Sequence, residues 1–307
     1  MIMWIANVQF VLVLNPIQFK YQIILIMPFT TTVITGATSG IGKETAMALA
    51  KKGHAVYLLV RDTERGERLK QEIITATKNK NIYVVYCDLA NMKSVRNAAG
   101  ILKNGLLAVN VLINNAGGIF AERLESKDGF EMTFAVNHLG HFLLVESLLP
   151  LLQKGQARVI NVSSEAHRMA KPNFNDLQWA KRPYSAWKAY GTAKLFNIYF
   201  TRSLALKYGP KGISAFALHP GMVNTGFAAG LTGFNKTLMW LARPFMISAE
   251  RGAQTSIYLA SAARVDAKSG RYFKKLKTVS PSATAADEVG RNRLWELSME
   301  LVIPFLN

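Results

Sequence analysis

The β-branched run Thr31-Thr32-Val33-Ile34 leads into Thr35-Gly36-Ala37-Thr38-Ser39-Gly40-Ile41-Gly42, which opens an Ala- and Leu-rich helical stretch from Glu44 to Lys52. Glycines let a backbone turn tightly and approach a pyrophosphate closely, and the phosphates then sit on the positive N-terminus of the helix. A glycine loop alone can be a flexible turn. Set between a strand and a helix, it predicts a dinucleotide-binding α/β fold. The G-x-x-x-G-x-G spacing differs from the more general G-x-G-x-x-G.

Apolar, β-branched runs recur at intervals with helical stretches between them. They predict strands near 31–35, 54–60, 82–87, 109–114, 157–163, 213–218 and 270–273. Near-continuous apolar strands imply a parallel sheet buried on both faces. The expected architecture is a Rossmann-type, three-layer α/β fold with a doubly wound sheet of about seven strands. With 307 residues, half of them hydrophobic, and no Gly/Ser linker or internal repeat, residues 27–307 read as one domain.

Tyr190 and Lys194 stand four residues apart in Tyr190-Gly191-Thr192-Ala193-Lys194. On a helix they share one face. An ammonium beside a phenol favours the phenolate, so the pKa of Tyr190 is expected below its ordinary value of about 10. Such a phenol exchanges protons with an alcohol or carbonyl oxygen. The spacing alone is common on amphipathic helices, and it gains meaning from what precedes it. Asn114-Asn115-Ala116-Gly117 ends one predicted strand and Ser163-Ser164 another. Asn137 lies in Asn137-His138-Leu139-Gly140-His141-Phe142, and Pro220-Gly221, with Thr225 beyond, follows a third strand.

Taken together and in this order, these motifs resemble the short-chain dehydrogenase/reductase family over residues 29–303. Within it they are most similar to the retinol dehydrogenase-like reductases, through Asn137–Phe142, Val162-Ser163-Ser164-Glu165-Ala166-His167 and the tail Ser269-Gly270-Arg271-Tyr272-Phe273 with Leu294-Trp295-Glu296-Leu297-Ser298. The resemblance implies a catalytic set of Asn137, Ser164, Tyr190 and Lys194, with Ser163 competing for the serine role. It implies cofactor contacts from Gly36, Thr38, Ser39, Gly40, Ile41, Gly42, Asp88, Leu89, Asn115, Ala116 and Gly117, and from Pro220, Gly221, Val223 and Thr225 over the nicotinamide. Asp88 has a plainer alternative, capping the helix that starts near Asn91.

After the second predicted strand come Arg61 and Asp62. An arginine pairs with the 2′-phosphate of NADP, and a carboxylate binds the ribose hydroxyls of NAD. In similar reductases an arginine followed by Asp goes with NADP(H), which is the expectation here, and NAD(H) stays open. The implied reaction interconverts a lipophilic alcohol and its aldehyde or ketone, beneath a Phe-, Leu-, Met- and Trp-rich lid over residues 227–247. Two other readings are a catalytically silent NAD(P)-binding regulatory or scaffold protein and a protochlorophyllide-type pigment reductase. The first is disfavoured by the complete catalytic set, the second by the lack of a clear insertion for a large tetrapyrrole. Glu165, beside Ser164, would oppose a developing oxyanion if it pointed inward.

A formal charge of +18 fits scattered surface lysines better than a membrane surface, and nucleic acid least well, because the densest cluster is only Lys274-Lys275-Leu276-Lys277. Cys87 is the single cysteine, so no internal disulfide forms and a reducing, cytoplasmic setting is allowed. The five histidines show no metal-ligand pattern. Residues 1–26 break the pattern: apolar but interrupted, they hold no stretch of ~18–20 residues suited to a membrane span and no secretory signal. They read as a misassigned start before Met27 or as a membrane-associated segment. Homo-oligomers stay open.

Overall fold

Side chains of a β-strand point alternately to the two faces of its sheet, and in this chain both sets are apolar. A computed structural model describes residues 2–5, 8–14, 21–26, 29–223 and 246–306. They fall into two compact units, residues 1–30 and 31–307. In the first, β1 (Ile2–Ile5), β2 (Val8–Leu14) and β3 (Tyr21–Ile26) pair antiparallel in the order β1-β2-β3.

The second unit is built on β4 (Thr31–Thr35), β5 (Ala55–Val60), β6 (Ile82–Tyr86), β7 (Val111–Asn114), β8 (Arg158–Val162), β9 (Ser214–His219), β10 (Tyr272–Lys274) and β11 (Lys277–Thr278). Their order is β11-β10-β9-β8-β7-β4-β5-β6. Seven strands run parallel, as expected. The eighth, β11, is a two-residue antiparallel edge strand folded back on β10. Between β5 and β7, strand order reverses about β4, which is where such sheets open a binding crevice.

The helices are α1 (Gly40–Lys51), α2 (Thr63–Thr77), α3 (Met92–Gly105), α4 (Met132–Lys154), α5 (Ala186–Tyr208), α6 (Ala249–Ser261) and α7 (Glu288–Leu306). One core joins Ile34, Leu58, Ile113 and Ile160 of the sheet to Leu49 of α1, Ile73 of α2 and Leu259 of α6. The other joins Val33, Leu59, Leu112 and Val159 to Leu102 of α3, Phe142 of α4, Phe196 of α5 and Leu294 of α7. Neighbours along each strand thus serve opposite layers. The α4 sequence is apolar enough to cross a membrane, but 72% of the relevant window is buried inside the molecule, which makes it a core helix. Residues 135–139 of α4 form a π-turn, in which the Gly140 amide donates to Ala135 five residues back. Such turns often sit at functional sites, and this one carries Asn137.

Candidate active site

The cradle is set by packing between strand ends. Thr35 closes β4 with its hydroxyl turned inward, where Oγ1 accepts the amides of Asn115 and Ala116, both at 3.0 Å. Asn115 Nδ2 donates back to the carbonyls of Thr35 and Gly36 at 2.9 and 3.1 Å. Gly42 packs beneath this knot. A Cβ there would overlap the Gly36 carbonyl oxygen and stand 2.5 Å from Asn115 Nδ2. The first turn of α1 holds no acidic residue and Ser39 makes no side-chain capping bond, so the positive helix end faces the cleft uncompensated. The glycine cradle and open helix end fit a pyrophosphate.

The cleft measures about 970 Å³, and every predicted site residue lines it except Asn137 and Thr225. Thr225 lies outside the described residues, as do lid positions 227–245. Asn137 is fully buried one layer behind Gly117. A Cβ at Gly117 would lie 2.5 Å from Asn137 Oδ1 and 3.0 Å from Lys194 Nζ, so both atoms flank one gap that only glycine leaves open. The Asn137 amide is committed, Nδ2 donating to the Gly118 and Thr133 carbonyls at 2.9 Å each and Oδ1 accepting from the Gly118 amide at 3.3 Å.

Tyr190 and Lys194 share the buried face of α5, with Nζ 5.4 Å from the ring centroid of Tyr190. The Ser164 side chain hydrogen-bonds Tyr190. Ser163 turns the other way and donates to the Lys194 carbonyl at 2.7 Å. The expected fall in the tyrosine's pKa does not occur. Burial pushes the phenol up to about 12 and the Ser164 hydrogen bond only partly counters it. Burial also pulls Lys194 down to about 8, and its Nζ donates to the Val162 carbonyl at 3.1 Å. Desolvation of two groups inside the protein outweighs their proximity.

Glu165 does not oppose the site. Its carboxylate binds Arg168 Nε at 2.9 Å, Lys274 Nζ at 3.6 Å and the Tyr272 hydroxyl at 3.4 Å. Burial acts to raise its pKa, but the Arg168 hydrogen bond and the two cationic neighbours outweigh that and hold it low. At the cofactor end, Arg61 and Arg65 both line the cleft, and Asp62 Oδ1 caps α2 by accepting the Arg65 amide at 3.0 Å. The capping alternative for Asp88 fails: Asn91 caps α3 through the Ser94 amide, while Asp88 Oδ1 accepts from Ala90 in a local turn. Cys87 lines the cleft from a buried position, its thiol pushed up to about 12 by burial and then by Asp88.

Sequence reasoning passed over several residues of the site. Thr35 carries the cradle's hydrogen bonds, and its signal was a threonine immediately before the first glycine. Trp187, three residues before Tyr190 and so on its face, lines the apolar end with Met169, Met222 and Met246. His167 holds the turn after Ser164, donating from Nδ1 to the Ser164 carbonyl at 2.6 Å and accepting the Ser282 amide at 3.0 Å. Met246 falls within the lid expected over residues 227–247, whereas Met169, Met222 and His167 had no local signal of function.

Fold and cleft together define a nucleotide-dependent oxidoreductase acting on CH–OH groups. The model of the short chain dehydrogenase family matches residues 30–235, and the chain belongs to that family. It is 42% identical to retinol dehydrogenase 12 of Mus musculus, with 90% of this chain and 87% of that protein covered. It is 40% identical to retinol dehydrogenase 11 of Homo sapiens, with 90% and 86% covered. An uncharacterized protein from Mycobacterium Paratuberculosis shares the fold at a TM-score of 0.72 and 35% identity, over 89% of this chain and 92% of that one. The NADPH-bound carbonyl reductase from chicken fatty liver, 24% identical, gives a TM-score of 0.60 over 82% of this chain and 99% of its own.

Proposed function

We propose that residues 27–307 form one catalytic domain that uses NADP(H) to interconvert a lipophilic alcohol and its aldehyde or ketone, with Tyr190 as the acid and base. The observation that carries this reading is the placement of Ser164, Tyr190 and Lys194 on the wall of the same cleft that the glycine cradle lines. The relatives named retinol dehydrogenase support a lipophilic substrate. When bound, the nicotinamide supplies the hydride for reduction and takes it up in oxidation.

Tyr190, protonated throughout the neutral range, gives its proton to the substrate oxygen as that oxygen gains charge. Ser164 shares the same oxygen through its hydroxyl and stabilises the charge. Lys194 would hold the nicotinamide ribose and, carrying positive charge below about pH 8, favours the transient phenolate. The phenolate regains its proton from the Lys194 ammonium, and water reprotonates Lys194 through the gap at Gly117 that Asn137 flanks. At the other end Arg61 and Arg65 offer two guanidinium groups to a 2′-phosphate, while one Asp62 oxygen is committed to the α2 cap. That division favours NADP(H) over NAD(H).

The test is consumption of NADPH and NADH with a panel of apolar aldehydes and ketones, for the native chain and Tyr190→Phe. Turnover with NADPH that disappears in the variant supports the reading. Preference for NADH moves the ribose contact to Asp62. Tight nucleotide binding without turnover would make the chain a catalytically silent binding protein.

A further inference from the structure

Asn137 has both side-chain groups committed, and its main-chain carbonyl is held as well. The π-turn shifts backbone pairing by one residue, so that the Gly140 amide reaches Ala135. A side chain four residues on stands beside the Asn137 carbonyl on the same helix face. That side chain is His141, only 1% exposed. Its Nδ1 lies 3.3 Å from the Asn137 carbonyl oxygen, and its Nε2 lies 2.9 Å from Thr35 Oγ1.

The chemistry of these partners fixes every proton. A carbonyl oxygen only accepts, so Nδ1 carries the hydrogen, and in a neutral ring Nε2 is then an acceptor. Thr35 has one proton and two nearby acceptors, His141 Nε2 at 2.9 Å and the Ile113 carbonyl at 3.4 Å. The shorter contact takes it. The two amides of Asn115 and Ala116 fill the remaining capacity of Thr35 Oγ1. Every donor points one way along the chain: the amides of Asn115 and Ala116 to Thr35, Thr35 to His141, and His141 to Asn137. Burial pulls the ring down to about 3, while the Asn137 hydrogen bond raises it and the Lys194 charge lowers it further. A neutral imidazole is what this arrangement needs.

We infer that His141 is a positioning residue which, as the neutral Nδ1–H tautomer, ties the carbonyl of Asn137 to the Thr35 hydroxyl and so holds the Asn137–Lys194 gap in register with a nucleotide cradle that is fixed without it. This rests on the oxidoreductase reading for its catalytic meaning, but the hydrogen-bond chain is a property of the protein alone. Asn137 touches the path by which Lys194 regains its proton, whereas His141 acts only through Asn137. Loss of His141 should therefore slow turnover without loosening the nucleotide, because the Asn115 and Ala116 amides keep Thr35 as their acceptor.

The experiment uses the full chain and two readouts. The first is the pair of ring-nitrogen signals of His141 in a ¹⁵N spectrum, assigned with His141→Phe. A protonated Nδ1 and bare Nε2 that do not titrate between pH 5 and 8 are expected, since ordinary histidine titrates near 6.5. The Nε2–H tautomer or an imidazolium would overturn the inference. The second compares kcat with the Kd for NADPH in three variants. His141→Phe should lower kcat roughly ten- to a hundredfold, the effect of a small misplacement near a reacting centre, with Kd within about threefold of native.

His141→Asn places an amide N–H where Nδ1 was but does not reach Thr35, so it should recover the part of that loss that belongs to the Asn137 carbonyl. Thr35→Val strips the acceptor from two amides and should raise Kd and lower kcat together. Equal losses in His141→Phe and His141→Asn, or a rise in Kd matching the fall in kcat, would sink the proposal. Where His141→Phe fails to fold, His141→Asn against native decides: partly retained kcat supports the link, and a phenylalanine-sized loss overturns it. A native chain without turnover would refute the oxidoreductase reading, and the nitrogen spectrum would still decide the tautomer.

Discussion

Lys194 Nζ stands 5.4 Å from the ring centroid of Tyr190 and donates to the Val162 carbonyl at 3.1 Å, so the ammonium is steered by a strand end and not by the phenol. With Tyr190 held up to about 12 and Lys194 down to about 8, the proton donor persists through neutrality and the positive charge is the first to go. The kcat for carbonyl reduction should be level near pH 6–7.5 and fall as pH rises through about 8. A kcat profile level to pH 10 would show that the charge on Lys194 is not needed.

The same burial bears on stability. The folded pKa of Lys194 lies below its ordinary 10.5, so burying the charge costs stability in full below about pH 8, and the cost fades as pH climbs from about 8 to 10.5. Lys194→Met should abolish turnover yet stabilise the fold at pH 7 by roughly 1–3 kcal/mol. The gain should shrink toward pH 10. Urea unfolding at the two pH values measures it, and a destabilised variant at pH 7 would contradict it.

Gly42 leaves no room for a side chain, because its Cβ position overlaps the Gly36 carbonyl and approaches Asn115 Nδ2. Gly42→Ala must push the first turn of α1 away from the knot around Thr35. We expect at least a tenfold rise in the Kd for NADPH, with stability lowered by about 1–3 kcal/mol. Titration of nucleotide fluorescence, beside a melting curve, separates the two effects.

The adjacent serines should behave differently. Ser164 meets Tyr190 in the cleft, so Ser164→Ala should cost about 10²-fold in kcat with little change in stability. Ser163 holds the Lys194 carbonyl inside the protein. Ser163→Ala removes that bond while the carbonyl keeps its helical partner in α5, and should destabilise the chain by about 0.5–1.5 kcal/mol. Parallel kinetics and unfolding of the two variants check the assignment.

Much of this fold was legible because parallel strands are apolar along their whole length, and the site because its motifs fall at the strands' carboxyl ends. β11 was not legible. Lys277 and Thr278 are polar and exposed, and the turn before them puts Lys275 and Leu276 in the left-handed region without a glycine or asparagine to announce it. The π-turn at 135–139 had no compositional mark. The pKa of Tyr190 was misjudged because spacing reveals the lysine neighbour and not the depth of burial. Contacts such as His141 to Thr35, 106 residues apart, exist only once the sheet is assembled.

Glu165 shows how a distant segment protects the site. Its carboxylate lies next to Ser164 in sequence and is drawn away by Arg168, Tyr272 and Lys274, two of which belong to β10. Removing the strongest partner leaves the charge free to turn toward the cleft that Glu165 lines. There it would oppose the negative charge growing on the substrate oxygen. Arg168→Met should lower kcat about three- to tenfold at pH 7, since a partly screened charge near the oxygen is worth about 1 kcal/mol. Glu165→Gln alone should change kcat little, and the double variant should return near native, because the offending charge is gone. A double variant as slow as Arg168→Met would show that Arg168 supports the turn through its bond to the Ser280 carbonyl, not by restraining Glu165.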